Sequence, residues 1–182
     1  MQNVKIQNIQ VHPSRGLYET LNQMNLLEKL SIQNQQFVSF VFKNFYSDCT
    51  ACVPGKIYNY IRSRFDYVPD DPHDERITAP YLLIETRKGD CDDFALFSKS
   101  CLDILGGWYT NYVLLGRQPN QFTHIITFAH RGRFLMKYND PVVIDGANDQ
   151  FNIVSSEYKY QRLIQWKDFL KFKHYPIEFI HV

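Results

Sequence analysis

The fold of this chain is decided by the stretch RKGDCDDFALFSKSCLDILGG, residues 87–107. Gly89 permits a sharp backbone turn, and Asp90 belongs to the residue types that cap helices at the N-terminus. Two further aspartates follow Cys91 in the first turn, where acidic side chains suit the helix dipole. Apolar residues then recur at helical spacing until a Gly-Gly pair supplies the stop. The pattern predicts a largely buried helix that begins at Cys91.

A cysteine at the start of a helix is a candidate nucleophile. Unpaired backbone N–H groups and the positive end of the dipole stabilise a thiolate there, and the same groups can bind an oxyanion. The three neighbouring aspartates act in the opposite direction, because negative charge disfavours a thiolate. We therefore expect Cys91 to need a histidine partner.

The histidine in the best position is His124, in the segment FTHIITFA. Strand alternation gives the same face to His124 and to three apolar residues: Phe122, Ile126 and Phe128. Taken alone, such a histidine is usually a hydrogen-bonded core residue. Asp145, however, ends the apolar segment VVIDG, where a buried carboxylate needs a partner. We predict that Cys91, His124 and Asp145 form a triad of nucleophile, base and orienting group.

Two other aspartates compete for the third place in this triad. Asp140 precedes a proline in an expected turn, and Asp149 lies beyond the strand in an expected loop. Asp145 is favoured over both. For the oxyanion we expect the backbone N–H of Cys91 to be one donor, because it lies at the helix start. The sequence does not identify the second donor, and Tyr81 is our guess.

At this point the chain resembles the transglutaminase-like superfamily of papain-fold thiol enzymes, and is similar to compact microbial or bacteriophage-encoded members. The resemblance rests on KGDCDDFALFSKSCLDILGG, FTHIITF and RFLMKYNDPVVIDG, and it covers roughly residues 57–146. Cys91, His124 and Asp145 match the positions at which that family carries its nucleophile, histidine and aspartate. The resemblance implies acyl chemistry on amides. The chain departs from the family at Ile125-Ile126 and at Met136-Lys137-Tyr138, which bears on substrate class more than on fold.

The periodicity of the sequence predicts an α+β fold, papain-like or transglutaminase-like, with the Cys91 helix packed on an antiparallel sheet. We expect one domain over residues 1–182. It comprises a helical N-terminal extension (1–56), a catalytic core (57–146) and a C-terminal helix and strand that close the core (147–182). TNYVLLG, FTHIITFA, RFLMKY and VVIDG are the predicted strands, with turns at Arg131-Gly132 and Asn139-Asp140-Pro141.

Composition narrows the class of partner. The net charge is +1, so no bulk field favours nucleic acid or an anionic membrane, and no segment is apolar enough to span one. We expect a cytoplasmic protein, or a virion-associated one if phage-encoded, and a protein or peptide substrate. The aromatic N-terminal helices could also contact a protein partner. No cofactor or metal is expected, because the CxxC of Cys49 and Cys52 lacks further ligands and reads as a loop with reduced thiols.

These observations favour a thiol hydrolase, a cysteine peptidase or amidase that cleaves amide bonds through the triad. Two alternatives stay open at this stage. One is a protein-glutamine acyltransferase that crosslinks glutamine to amines. The other is a non-catalytic structural or assembly component, for example of a bacteriophage particle.

Overall fold

The computed structural model of the chain describes residues 9–11, 16–71, 75–119, 121–131 and 139–164. Its α-helices are α1 (Gly16–Ser31), α2 (Gln35–Phe45), α3 (Val53–Arg64), α4 (Pro80–Thr86) and α5 (Cys91–Leu105), with a 3-10 helix at Thr50–Cys52. Its strands are β1 (Ile9–Val11), β2 (Asp66–Tyr67), β3 (Glu75–Ile77), β4 (Lys88–Gly89), β5 (Trp108–Gln118), β6 (Gln121–Arg131), β7 (Asn139–Ile144) and β8 (Tyr160–Ile164). Helices precede the long strands along the chain, as the change of periodicity near Trp108 predicts.

The largest sheet has the strand order β7-β6-β5-β8, and its neighbouring strands run antiparallel. The prediction of an α+β fold with an antiparallel sheet is therefore confirmed. Two small pairs complete the strands: β1 with β3 antiparallel, and β2 with β4 parallel. The parallel pair is important for the site, because β4 lies immediately before α5.

Helix α5 is the central element, as its sequence predicts. Its apolar residues Phe94, Leu96 and Phe97 are buried between the sheet and the other helices. The Thr127 hydroxyl on β6 donates a hydrogen bond of 2.8 Å to the Ala95 carbonyl in the first half of the helix. This buried bond joins the helix to the sheet close to the end that carries Cys91.

The two N-terminal helices pack directly on α5. Phe37 and Phe45 of α2 are buried and place their rings against Phe97, at centroid distances of 5.9 and 6.1 Å. The exposed aromatic pair on this helix is Phe42 with Tyr46. Most of the aromatic surface of α2 thus contributes to the core, and a partner that binds through this extension stays a prediction.

Two sequence interpretations are corrected in this part of the chain. Asn139, Asp140 and Pro141 lie in strand β7, not in a turn. Since β7 is an edge strand of the described sheet, the missing N–H of Pro141 is tolerated there. The C-terminal helix was expected to include Leu163, but this residue lies in β8 and pairs with Val113. The remainder of the expected C-terminal helix and strand, and the expected strand RFLMKY, lie outside the described residues.

The expectation of reduced thiols at Cys49 and Cys52 was wrong. The structure joins the two residues in a disulfide, whose Cα atoms lie 5.4 Å apart. The cause is local: the Cys52 N–H donates to the Cys49 carbonyl across the 3-10 turn, which brings the two Cα atoms within bonding range. Cys91 and Cys101 form no disulfide, and Cys101 is buried.

A buried charge cluster joins α1, α5 and β5. The Lys99 ammonium lies 2.7 Å from Glu28 Oε1 and 2.6 Å from Asp103 Oδ2, and Tyr112 donates its hydroxyl hydrogen to Glu28. One lysine cannot neutralise two carboxylates. Burial therefore raises the pKa of Glu28 from 4.5 to about 7, against the lowering effect of Lys99, and Asp103 raises it further.

We predict that Glu28→Gln reduces the pH dependence of stability. A carboxyl whose pKa is higher in the folded chain binds more protons when folded, so its penalty on stability grows as pH rises between 4.5 and about 7. The free energy of unfolding, measured by urea titration across this window, should fall with pH more steeply in the wild type than in the variant. Glu85→Gln, at the exposed end of α4, is the control, and equal slopes for wild type and Glu28→Gln would contradict the prediction.

Candidate active site

The start of α5 is fixed by a reciprocal cap. The Asp90 side chain accepts the N–H of Asp92 at 3.3 Å, and the Asp93 side chain accepts the N–H of Asp90 at 3.2 Å. Together they form a capping box with Asp90 as the cap residue, as the sequence predicts. Cys91 is therefore the first residue of the helix, and its side chain is partly exposed at the helix N-terminus.

Asp93 also connects the cap to the chain before α4. Its Oδ1 accepts the N–H of Thr78 at 2.6 Å, and the residue is only 2% exposed. Burial raises the pKa of Asp93 well above its ordinary value, while the two N–H donors act in the opposite direction. A Cβ on Gly89 would lie 2.6 Å from Asp93 Oδ2, so the turn before the helix requires glycine at this position.

The three aspartates at the helix start form an acidic group. One carboxylate oxygen from each of Asp90, Asp92 and Asp93 lies within 4.8 Å of the others, and within the described part of the chain this is the one such group close enough to hold a metal ion. The capping bonds account for Asp90 and Asp93 without a metal. The expectation that no metal is needed here stays a prediction.

His124 and Asp145 form a buried pair at the ends of neighbouring strands. His124 Nε2 lies 2.9 Å from Asp145 Oδ2, and the two residues are 8% and 4% exposed. Asp145 Oδ1 accepts the N–H of Ala147 at 3.1 Å, so both carboxylate oxygens have partners. In a neutral imidazole beside an ionised carboxylate, which can only accept, Nε2 carries the hydrogen of this bond and Nδ1 has the lone pair. That is the state in which Nδ1 can take up a proton.

The pairing of strands in the sheet explains why His124 lies next to Asp145. β6 and β7 are direct neighbours, with Thr127 opposite Ile144, and Asp145 follows Ile144 at the strand end. One detail of the alternation was wrong: a register shift between Leu115 and Gly116 moves Phe122 from the face of His124 to the opposite apolar cluster.

Two tyrosines border the site, and neither was proposed from the sequence. The ring of Tyr158 stacks on the imidazole of His124, with centroids 5.2 Å apart and planes 12° from parallel. Tyr67 is opposite Gly89 in the β2–β4 pair. The pKa of each phenol is raised, chiefly by burial, and the charges that raise it further include those of Cys91 and Asp145 when these groups are ionised. The sequence carries no local signal for either contact.

Tyr81, the guessed oxyanion donor, lies in the first turn of α4. It is partly buried and packs against the same apolar cluster as Cys91. Burial, then the charge of Glu85, raises the pKa of its phenol. Its role and that of the Cys91 N–H stay predictions. Of the rival aspartates, Asp149 is 87% exposed at its side chain and pairs with Arg62, and Asp140 lies in β7.

Comparison with known proteins supports the fold. No family model matches the chain, and no curated protein does. Among solved structures, an EGTA-treated Legionella pneumophila LapG matches with a TM-score of 0.50 and 16% identity, over 77% of this chain and 78% of LapG. Another LapG structure matches with a TM-score of 0.48 and 17% identity, over 70% and 75%. LapG is a transglutaminase-like cysteine protease. The chain has a transglutaminase-like fold. At this identity the likeness concerns the fold alone.

We predict that Asp145→Asn slows alkylation of Cys91 by iodoacetamide at neutral pH by at least about tenfold, while the protein stays folded. An amide can donate to Nε2, which favours the tautomer with its hydrogen on Nδ1 and so removes the base. Mass spectrometry of the alkylated peptide gives the rate, and circular dichroism checks the fold. Asp149→Asn is the matched control, and an unchanged alkylation rate in Asp145→Asn would reject Asp145 as the orienting group.

Proposed function

We propose that this protein is a thiol-dependent hydrolase that cleaves peptide or other amide bonds. Cys91 is the nucleophile, His124 the general base and acid, and Asp145 the group that orients the imidazole. The observation that carries the proposal is the buried hydrogen bond between His124 Nε2 and Asp145 Oδ2, beside a helix that begins with a partly exposed cysteine. Burying an imidazole and a carboxylate costs stability, and packing alone would not require these residue types. The arrangement therefore favours chemistry over packing.

The proposed reaction has two stages. His124 Nδ1 takes the proton of the Cys91 thiol as Sγ bonds to the carbonyl carbon of the substrate. The C–N bond then breaks, His124 gives its proton to the leaving amine, and an acyl group stays on Cys91 as a thioester. In the second stage His124 takes a proton from water, whose oxygen bonds to the acyl carbon, and the C–S bond breaks to release the acid and restore the thiol.

The helix N-terminus supports the charged states of this reaction. Cys91 is the first residue of α5, and we propose that its backbone N–H is one of the donors to the oxyanion. The acidic residues beside Cys91 oppose a thiolate, so the proposal assigns the activation of the thiol to the imidazole of His124.

Hydrolysis is favoured over transfer for two reasons. Cys91 is partly exposed, so water can reach the thioester without a conformational change. LapG, which shares the fold, is a cysteine protease, and its likeness to this chain supports a thiol hydrolase at a coarse level. No observation on the described residues favours an acyltransferase or an assembly component. The first of these alternatives is an outcome of the experiment below.

The test uses the cysteine distribution of the chain. Cys49 and Cys52 form a disulfide and Cys101 is buried, with its pKa well raised by burial, so iodoacetamide should label Cys91 selectively in the native protein. Wild type and Cys91→Ala are then incubated with a peptide library, with and without a primary amine. We expect fragments from the wild type alone, and turnover reduced by at least about a thousandfold in Cys91→Ala.

Cys101→Ala is the matched control, since it removes the other free thiol and should retain turnover. Incorporation of the amine in place of fragment release would replace hydrolysis by transfer. If Cys91 labels no faster than Cys101 and neither assay turns over, the enzyme proposal fails.

A further inference from the structure

The loop that follows β7 carries an aromatic ring onto the imidazole of the site. Tyr158 lies between β7 and β8, where its N–H donates to the Ser155 carbonyl at 3.1 Å in a turn. Its ring is nearly parallel to that of His124, with a centroid distance of 5.2 Å. Nearly parallel rings at this distance are offset-stacked, so the Tyr158 ring overlaps part of one face of the imidazole.

Several contacts fix the position of this ring. It packs against the apolar residues Val113, Leu115 and Ile126, on the face of the sheet opposite α5. The Arg117 guanidinium lies 5.9 Å from the centre of the Tyr158 ring and forms an ion pair with Glu157. The sheet, the ion pair of the preceding residue and the Arg117 cation therefore all help to hold Tyr158 in place. Its position over His124 does not depend on a single contact.

We propose that Tyr158 is a positioning residue for His124. Its ring keeps the imidazole in the plane in which Nε2 meets Asp145, and it keeps water from that hydrogen bond. The inference rests on the proposed function, since it gives His124 a role in catalysis. The shielding of the imidazole by Tyr158 can be tested without a known substrate.

The alternative is that Tyr158 only fills space above the sheet. Three variants separate these possibilities. Tyr158→Leu keeps apolar contact with the sheet and removes the aromatic face, whereas Tyr158→Phe keeps the face and removes the hydroxyl. Tyr160→Leu makes the same change at an exposed tyrosine two residues further on, in β8.

The first readout is nuclear magnetic resonance of His124 in the full chain. Stacking should shift the carbon-bound ring protons of His124 upfield in the wild type, in Tyr158→Phe and in Tyr160→Leu, and the shift should be lost in Tyr158→Leu. The Nε2–H proton should exchange with water about tenfold faster in Tyr158→Leu than in the other three proteins, because a face of the imidazole is open.

The second readout is peptide hydrolysis. Loss of the stacked ring should lower kcat by about fivefold to tenfold in Tyr158→Leu, with KM within about twofold of wild type, while Tyr158→Phe retains wild-type kcat. Circular dichroism and thermal unfolding check that each variant is folded. If Tyr158 only filled space, Tyr158→Leu would change stability but would leave the exchange rate of the Nε2–H proton and kcat unchanged.

The outcomes are distinct. If Tyr158→Leu keeps the exchange rate of the Nε2–H proton and the kcat of the wild type, the inference is overturned. It is also overturned if Tyr158→Phe behaves like Tyr158→Leu in these two quantities, because the hydroxyl and not the ring would then matter. If no protein hydrolyses any peptide but the Nε2–H proton exchanges faster in Tyr158→Leu alone, the proposed function fails and the shielding of His124 by Tyr158 is upheld.

Discussion

The structure of this protein depends on the buried carboxylate of Asp93. Its two oxygens accept the N–H groups of Thr78 and Asp90, which bind the segment before α4 to the turn before α5. Because Gly89 has no side chain, it leaves the space that this carboxylate occupies. The Gly89 carbonyl accepts the Val68 N–H at 2.9 Å, which holds the chain after α3 against the turn before α5. The first turn of α5 is thus fixed from three directions, and Cys91 has a fixed position in consequence.

The other half of the site is set by the sheet. His124 and Asp145 are placed by strands whose register is held by main-chain hydrogen bonds, and Thr127 binds that sheet to α5 three residues beyond His124. A site that is built on a helix end and on strands is positioned more precisely than one built on loops. The fold therefore pairs the imidazole with the carboxylate, and the approach of the Cys91 thiol to this pair stays a prediction. No helix in the described part of the chain is long and apolar enough to cross a membrane.

The features that were predicted correctly from the sequence are those that neighbouring residues or a simple energetic constraint determine. The bounds of α5 follow from a cap, a first turn and a glycine stop that all lie within the helix or beside it. The pairing of His124 with Asp145 followed from the cost of burying a carboxylate without a partner, which is a physical constraint and needs no knowledge of topology. The roles of Cys91, His124 and Asp145 in catalysis stay predictions.

What the sequence could not predict comes from contacts between distant segments. Tyr67 reaches the site because β2 pairs in parallel with β4, and Tyr158 because a loop returns over the sheet. A register shift places Phe122 on the opposite face of the sheet from His124, and alternation in the sequence alone cannot detect such a shift. The disulfide between Cys49 and Cys52 depends on a 3-10 turn, and Pro141 could lie in a strand only because that strand is at the sheet edge.

The central claim is that Cys91 becomes acylated with the help of His124. The most direct measurement is intact-protein mass spectrometry after incubation with an activated ester and acid quench, followed by mapping of the acyl group in wild type and His124→Ala. The account predicts one acyl group per chain, on Cys91, formed at least about a hundredfold faster in the wild type. An acyl group on another residue, or equal rates in the two proteins, would contradict it.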